Sequence, residues 1–552
     1  LALAAAIALG AAHRAPAAWA AVPLAAAGGL IAVAAAGGVL RQILPGAWTV
    51  PACLACGIAL LTVRGTRLPP TLRRGLWWSS AAVQALALSW TLPVVALVLL
   101  GPAGRTAHVW SGAPSDARDA VTVPASWPPG ADTAALVLAA VAVVLALAFR
   151  SGPHRLRARS GASALAWVTA LVLPATLHLP YGAALLWHGA ATVAALTAAA
   201  HAHTRATEGR SSTADRPDRI SATDRISAAD RLSLPTATAL GLAFLGSLHL
   251  AALSLAAEAA TLAVLAGLTA LFTTAAARQG HKPVGAVSAA PALAYATALA
   301  CATGASLGLP PHHTALLVLL VPATAALLAP RLDDAALKVS VEVTGAVAGL
   351  LAISLAAAEP PALALVLALC GVIAAGTAVR QDRGWAGYAA TTLFVLATWV
   401  RLAAWEVGSP EAYTLPVTVP ALIAGYVRRN RDAQVPSWPA YGPGLVVTLV
   451  PSLLAVWGDP GGPRPLLLGA ASLAVTLLGV RHRLRAPLLL GGAALVLTAL
   501  HELAPYAAQA MGSLPRWAPP ALAGLLLLAL GATYEQRLQD ARRARESLNK
   551  MR

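Results

Sequence analysis

Apolar runs long enough to cross a bilayer follow one another along nearly the whole chain, and almost all of the basic charge falls in every second gap between them. Residues 134–149 and 234–257 carry almost no charge over most of a membrane-spanning length of about 20 residues. A helix satisfies its own backbone in lipid, whereas a spanning β-barrel needs short alternating segments. These runs are continuous, so the pattern predicts an all-α, polytopic integral membrane helix bundle. Read against the charged gaps, the runs give about 19 transmembrane helices, the first of them truncated.

The expected spans are 1–12, 17–40, 48–63, 76–101, 132–149, 161–179, 181–202, 235–256, 258–277 and 284–306. They continue at 313–330, 338–357, 361–379, 385–406, 412–427, 444–457, 465–480, 486–503 and 517–533. Of the 39 Lys and Arg residues, 33 lie in alternate gaps, together with 13 of the 22 acids. One set of gaps is therefore +20 and the other −4, and cytoplasmic loops are the ones that collect Lys and Arg. The reading is a multi-pass membrane protein with its C-terminus in the cytoplasm; that the membrane is a bacterial plasma (inner) membrane is implied by a resemblance carried by its C-terminal segments. Arg401, inside an expected span, belongs to neither set.

Composition agrees. Only 11% of the 552 residues are charged and the mean hydropathy is +0.70, against roughly 25% charged residues in a soluble domain. The net charge of +17 is no nucleic-acid footprint, because the basic residues form short clusters beside apolar runs. Cys53, Cys56, Cys301 and Cys370 all lie in apolar stretches and suggest neither a disulfide framework nor a metal site. No cofactor motif is present. The chain opens on Leu1 within an apolar run, which reads as a trimmed N-terminus.

Three stretches fall outside the spans and organise the chain. Residues 102–132, on the less basic side, hold Asp116, Asp119 and Trp127. Residues 203–234, on the basic side, contain a hexapeptide repeat beginning at Asp218, Asp224 and Asp230, and read as a low-complexity cytoplasmic linker. This linker would separate an N-terminal membrane region, 1–202, of about seven helices from a C-terminal one, 235–533, of about twelve. Residues 534–552 read as a basic amphipathic cytoplasmic tail, with Arg537, Arg542, Arg543, Arg545 and Lys550 against anionic inner-leaflet lipid.

Ionisable groups inside lipid are costly, so each one is a candidate. Arg401, with Glu406, Glu411 and Tyr413 close in sequence, suggests a site for an anionic headgroup; the plainer alternative is an interfacial Arg401–Glu406 pair. His501, Glu502 and Tyr506 end the penultimate span on the same side. His188 and His249 lie deeper and read as hydrogen-bonded packing histidines. Asp116-x-x-Asp119 suggests a weaker catalytic alternative, a membrane-embedded transferase acting on lipid-linked sugars at the outer face.

Several C-terminal segments resemble an uncharacterised family of large polytopic membrane proteins of streptomycetes and other actinobacteria, named only for its C-terminal region. They are Trp399-Val-Arg401-Leu402, Glu411-Ala-Tyr413-Thr-Leu-Pro416, Ser437-Trp438 with Gly442-Pro-Gly444, Pro451-Ser-Leu-Leu454, Glu502-Leu-Ala-Pro-Tyr506, and Gly531-Ala-Thr-Tyr534-Glu-Gln-Arg537. The similarity covers mainly residues 395–552; Gln536 stands where the family pattern implies Arg. It implies a zinc-ribbon-like segment ahead of the helices, absent from this sequence, and it implies no activity. The expectation is a multi-pass envelope protein, more a transporter or scaffold than an enzyme, that handles an amphipathic or lipid-linked component. An envelope lipid or polymer would be its partner.

Overall fold

The computed structural model describes residues 1–65, 68–122, 125–149, 155–211, 233–278, 283–380, 383–432, 436–458 and 463–513, with a few more between 520 and 528. It is 87% helical and has no strand among the described residues. The protein is an all-helical, multi-pass membrane bundle. The repeat from Asp218 to Asp230 and the tail 534–552 lie outside the described residues, as does most of the expected span 517–533.

Fourteen described helices are long and apolar enough to cross a membrane, each in the place of an expected span. Two further expected spans are helical but short, at Ala2–Arg14 and Gly46–Thr62. Two others, Arg155–Thr176 and Pro410–Arg431, form full-length helices that are more polar. The first opens on three arginines; the second holds two internal prolines and closes on Arg428, Arg429 and Arg431. The expected span 313–330 is interrupted at Leu319, because Pro322 has no N–H to offer the preceding turn.

The chain divides into two compact units, 1–352 and 353–552. This division differs from the one expected at the repeat, since the helices flanking residues 212–232 pack on each other. Unit 1 contains α1 (Ala2–Arg14), α2 (Ala18–Ile43), α3 (Thr49–Ala59), α4 (Pro70–Leu100), the short α5 (Ala117–Val121), α6 (Ala134–Ala148) and α7 (Arg155–Thr176). It continues with α8 (Tyr181–Ser211), α9 (Leu234–Ser254), α10 (Glu258–Arg278), α11 (Pro283–Ser306), α12 (Pro311–Val318), α13 (Leu320–Leu328) and α14 (Ala335–Ala356), which carries the boundary. Consecutive antiparallel pairs dominate: α6 on α7, α8 on α9, α10 on α11. Small residues let them close up. Ser79 of α4, fully buried, bonds Ala26 O on α2 and Gly75 O on its own helix, both at 3.0 Å.

Unit 2 contains α15 (Pro360–Ala378), α16 (Ala386–Ala404), α17 (Pro410–Arg431), α18 (Ser437–Gly458), α19 (Arg464–Arg481) and α20 (Arg485–Ser513). Here α15 pairs with α16, α17 with α18, and α20 with both α18 and α19. Leu445, Leu449, Val456 and Leu468 form its core.

Prolines open α4, α12, α15 and α17, where the missing N–H costs nothing. Three helices end on a left-handed residue that is not glycine: His178 after α7, Glu406 after α16 and Arg483 after α19, with φ of 51°, 54° and 53°. In each case the following N–H returns five residues to the helix, as in Leu179 N to Pro174 O and Val407 N to Leu402 O. A side chain with a Cβ pays roughly 1–2 kcal/mol for this conformation. Two of these residues, His178 and Glu406, reappear below.

Candidate functional site

Between α4 and α6 the chain builds a cap over one end of unit 1. Its centre is α5, only five residues long and unable to hold itself together by its own hydrogen bonds. Asp116 caps it, accepting the Asp119 N–H at 2.8 Å, and its second oxygen meets His178 Nδ1 at 3.1 Å. At the other end Arg105, 8% exposed, donates to Asp119 O at 2.9 Å and Ala120 O at 3.2 Å. A buried cation on the last carbonyls also complements the helix dipole. Arg118 pairs with Asp132, donates to Ala175 O and lies 4.4 Å from the Trp127 ring. Trp110 N–H and Gly112 N–H bond the α9–α10 turn at Leu255 O and Ala256 O.

Burial alone would raise the Asp116 carboxyl. The Asp119 N–H, His178 and the Arg118 N–H outweigh it and hold the group below its ordinary value. Asp119 bonds Ser115 Oγ through its side chain and Arg105 through its carbonyl. Both carboxylates of the Asp-x-x-Asp pair are thus engaged in shaping the cap. The enclosed cavity beneath α5 measures about 10 Å³, room for about one water, whereas ligand pockets run to roughly 300–1,000 Å³. Among the described residues this cavity has no room for a sugar.

Below that cavity the two deep histidines meet. His188 (α8) and His249 (α9) are 3% and 5% exposed, with ring centroids 4.9 Å apart and planes at 79°. The expectation of hydrogen-bonded packing is corrected here. His188 Nδ1, both His249 ring nitrogens and the neighbouring Trp167 Nε1 are buried without a hydrogen-bond partner. Each such atom costs about 1–3 kcal/mol. Thr192 is spent on His188 O, Tyr181 on Leu253 O, and Tyr295 on Ser247. Sequence reading missed the pairing because it depends on how α8 and α9 pack, although each histidine was visible as a polar residue deep in its run.

In unit 2, α15 and α16 line an open groove of about 560 Å³. Ala364, Leu365, Ala368, Phe394 and Ala397 line its length, and Arg401 and Trp405 stand at one end. The Arg401 guanidinium lies 4.5 Å from the Trp405 ring centroid. The ring holds the guanidinium by cation–π attraction, which uses none of its five N–H donors. Among the described residues no carboxylate pairs with Arg401. Glu406, the alternative partner, is exposed and is the left-handed residue that ends α16.

The other expected residues meet different neighbours. Glu411 Oε1 lies 3.5 Å from Arg464 Nε, joining the starts of α17 and α19. Tyr413 contributes its carbonyl to Trp399 Nε1 at 2.7 Å, joining α16 to α17. His501 faces Trp457, with centroids 6.1 Å apart. Glu502 is half-buried and Tyr506 is 68% exposed; among the described residues neither has a hydrogen-bonding partner.

Cys53 and Cys56 are free thiols, and Cys53 packs toward Gly37 of α2. Among the described residues no group of three or more His, Cys, Asp or Glu could hold a metal ion.

Fold and sites together define a class, the multi-pass helical membrane proteins. No family model matches the chain, and neither a curated protein nor a solved structure matches it.

Proposed function

We propose that the protein binds the anionic headgroup of an amphiphile at Arg401, with the apolar part of that molecule lying in the α15–α16 groove. The observation that carries this reading is a stacked guanidinium, without a carboxylate partner among the described residues, at the end of an apolar groove of about 560 Å³. Headgroup charge and acyl chain then each find a matching surface. The wider role is transport or scaffolding of a lipid or lipid-linked component of the bacterial envelope. In this reading Arg401 stands near the outer face and the basic gaps lie in the cytoplasm, the orientation that the distribution of Lys and Arg supports. Glu411–Arg464 and His501–Trp457 would brace the surrounding helix ends, and membership of the actinobacterial family suggested by residues 395–552 belongs to the same proposal.

The test is retention of phosphatidylglycerol against phosphatidylcholine by the purified chain, read by native mass spectrometry. Arg401→Gln should weaken phosphatidylglycerol retention about tenfold, equivalent to about 1.4 kcal/mol, and Arg401→Lys should restore part of it. Equal retention by wild type and Arg401→Gln would remove the proposal.

A further inference from the structure

Of the six buried side-chain atoms in unit 1 without a hydrogen-bond partner among the described residues, four are collected in one place; the others are Trp127 Nε1 and Ser160 Oγ. Three ring nitrogens of His188 and His249, with the Trp167 indole N–H, are buried and unpartnered within the α7–α8–α9 junction. A neutral imidazole carries one N–H and one bare nitrogen, so it can take a proton on one side and release one from the other. Two imidazoles joined by an N–H···N bond of about 2.9 Å have centroids roughly 5 Å apart. These centroids are 4.9 Å apart, the separation such a bond requires, with the rings now edge to face. His188 also lines the water-sized cavity whose roof is α5. Water at the cap, a water-sized space, then two imidazoles at hydrogen-bonding separation make a sequence of amphiprotic groups.

We propose that His188 and His249 form a proton-transfer station, in which a proton reaches His188 from the cap face through the cavity under α5 and passes on to His249. In the first step a water in the cavity gives a proton to a bare nitrogen of His188 and is itself reprotonated from the aqueous face. In the second, the opposite N–H of His188 gives its proton to a bare nitrogen of His249. His188 returns to neutral with its tautomer reversed, and His249 carries the charge. Only N–H and O–H bonds form and break, and nothing is oxidised or reduced.

The surroundings fit a transient rather than a resident charge. The charged or titratable groups on the packed elements are Arg105 on the cap, Tyr181 on α8, Glu258 and Arg278 at the two ends of α10, and Tyr295 and Cys301 on α11; Glu258, the one carboxylate among them, opens α10. Asp116 and Asp119 are held in the cap's own hydrogen bonds, with His178 on Asp116. His249 is the sole ionisable residue of α9. Those remaining on α7 and α8, Arg155, Arg157, Arg159, His201, His203 and Arg205 among the described side chains, are two or more helical turns away toward the opposite ends. A divalent metal ion is a poorer occupant, since two imidazoles supply half of a tetrahedral set and no anionic ligand. This inference concerns unit 1 and is independent of the Arg401 groove.

The experiment uses the full chain, labelled with ¹⁵N-histidine, in lipid nanodiscs transferred to D₂O, with exchange followed at each ring N–H. Both buried rings should exchange, and His188→Phe should slow exchange at His249 by about tenfold or more, while His249→Phe leaves His188 unchanged. Ala184→Leu, which fills the cavity, should slow both rings. His188→Gln serves as a second variant, and matched thermal unfolding shows which variants keep the fold. Three results would overturn the proposal: no exchange at either ring in the wild type, an unchanged His249 rate in both folded His188 variants, or ring resonances that shift with one equivalent of Zn(II) or Cu(I) without exchanging.

Discussion

The cap of unit 1 and the groove of unit 2 use arginine in opposite ways. Arg105 is enclosed and spends its donors on the last carbonyls of α5, so it acts as part of the fold. Arg401 is half-exposed, stacked on one ring, and leaves its donors to whatever occupies the groove. A cation that completes a backbone is a structural element; one with donors to spare beside an apolar groove is free for recognition, the role proposed for Arg401. Two arginines in one apolar chain therefore differ in consequence because of what surrounds each guanidinium.

The contrast is broken most directly by truncating both. Arg105→Ala strands two buried carbonyls and should destabilise unit 1 by about 3–5 kcal/mol, with residues 102–132 becoming open to protease. Arg401→Ala should cost under about 1 kcal/mol, the worth of an exposed cation–π contact. Thermal unfolding in detergent with limited proteolysis reads both, and equal losses would erase the distinction.

Close backbone approach is where the two units should agree. A Cβ on Gly101 would lie 2.1 Å from Val121 O, and one on Gly425 would lie 2.0 Å from Ala440 O. Alanine at either position should cost about 2–3 kcal/mol, measured by the same unfolding assay.

Smaller still is the effect expected at the histidine pair. Replacing His188 with Phe and His249 with Leu together removes unsatisfied polar atoms, so stability should hold or rise by up to about 2 kcal/mol. A large loss would mean the imidazoles have partners that hold the bundle together.

The smallest effect is on Asp116. Its carboxyl is lowered in the folded cap from an ordinary value of 3.8. A lowered group contributes stability that is fully present above the unfolded value and is lost as pH falls through the folded one. Cap stability should therefore be flat from neutral pH down to that ordinary value and fall only below it. Asp116→Asn should remove this acid limb, which a pH series of protease sensitivity would show.

Much of this architecture was legible from the chain. Span positions followed from apolar length, since lipid leaves the backbone few alternatives. Helix interruption at Leu319 was less visible, because a proline inside a run signals either a kink or a break. The cap was read as a loop holding Asp116 and Asp119, yet the residues that build it, Arg105, Arg118 and His178, drew no notice as a group. Their partners lie up to 62 residues away in sequence, as Asp116 does from His178 and Ala175 O, 57 away, does from Arg118. Arg401 stood out because a cation in an apolar run is expensive wherever it sits. Its stacking on Trp405 carries no such signal in the sequence, and Glu406, next along, ends α16 in the left-handed turn rather than pairing with it. Histidines 61 positions apart could not be paired without knowing that α8 and α9 lie side by side.

The groove is the central claim, and crosslinking addresses it at the position where a lipid would lie. A photoreactive residue at Leu365, which lines the groove, is compared with one at Leu477, exposed on α19 and outside the groove's lining. In membranes holding both phosphatidylglycerol and phosphatidylcholine, the account predicts phosphatidylglycerol-enriched adducts at 365 and bulk composition at 477, with the enrichment lost in Arg401→Gln. The same lipid composition at both positions, unaffected by Arg401→Gln, would contradict it.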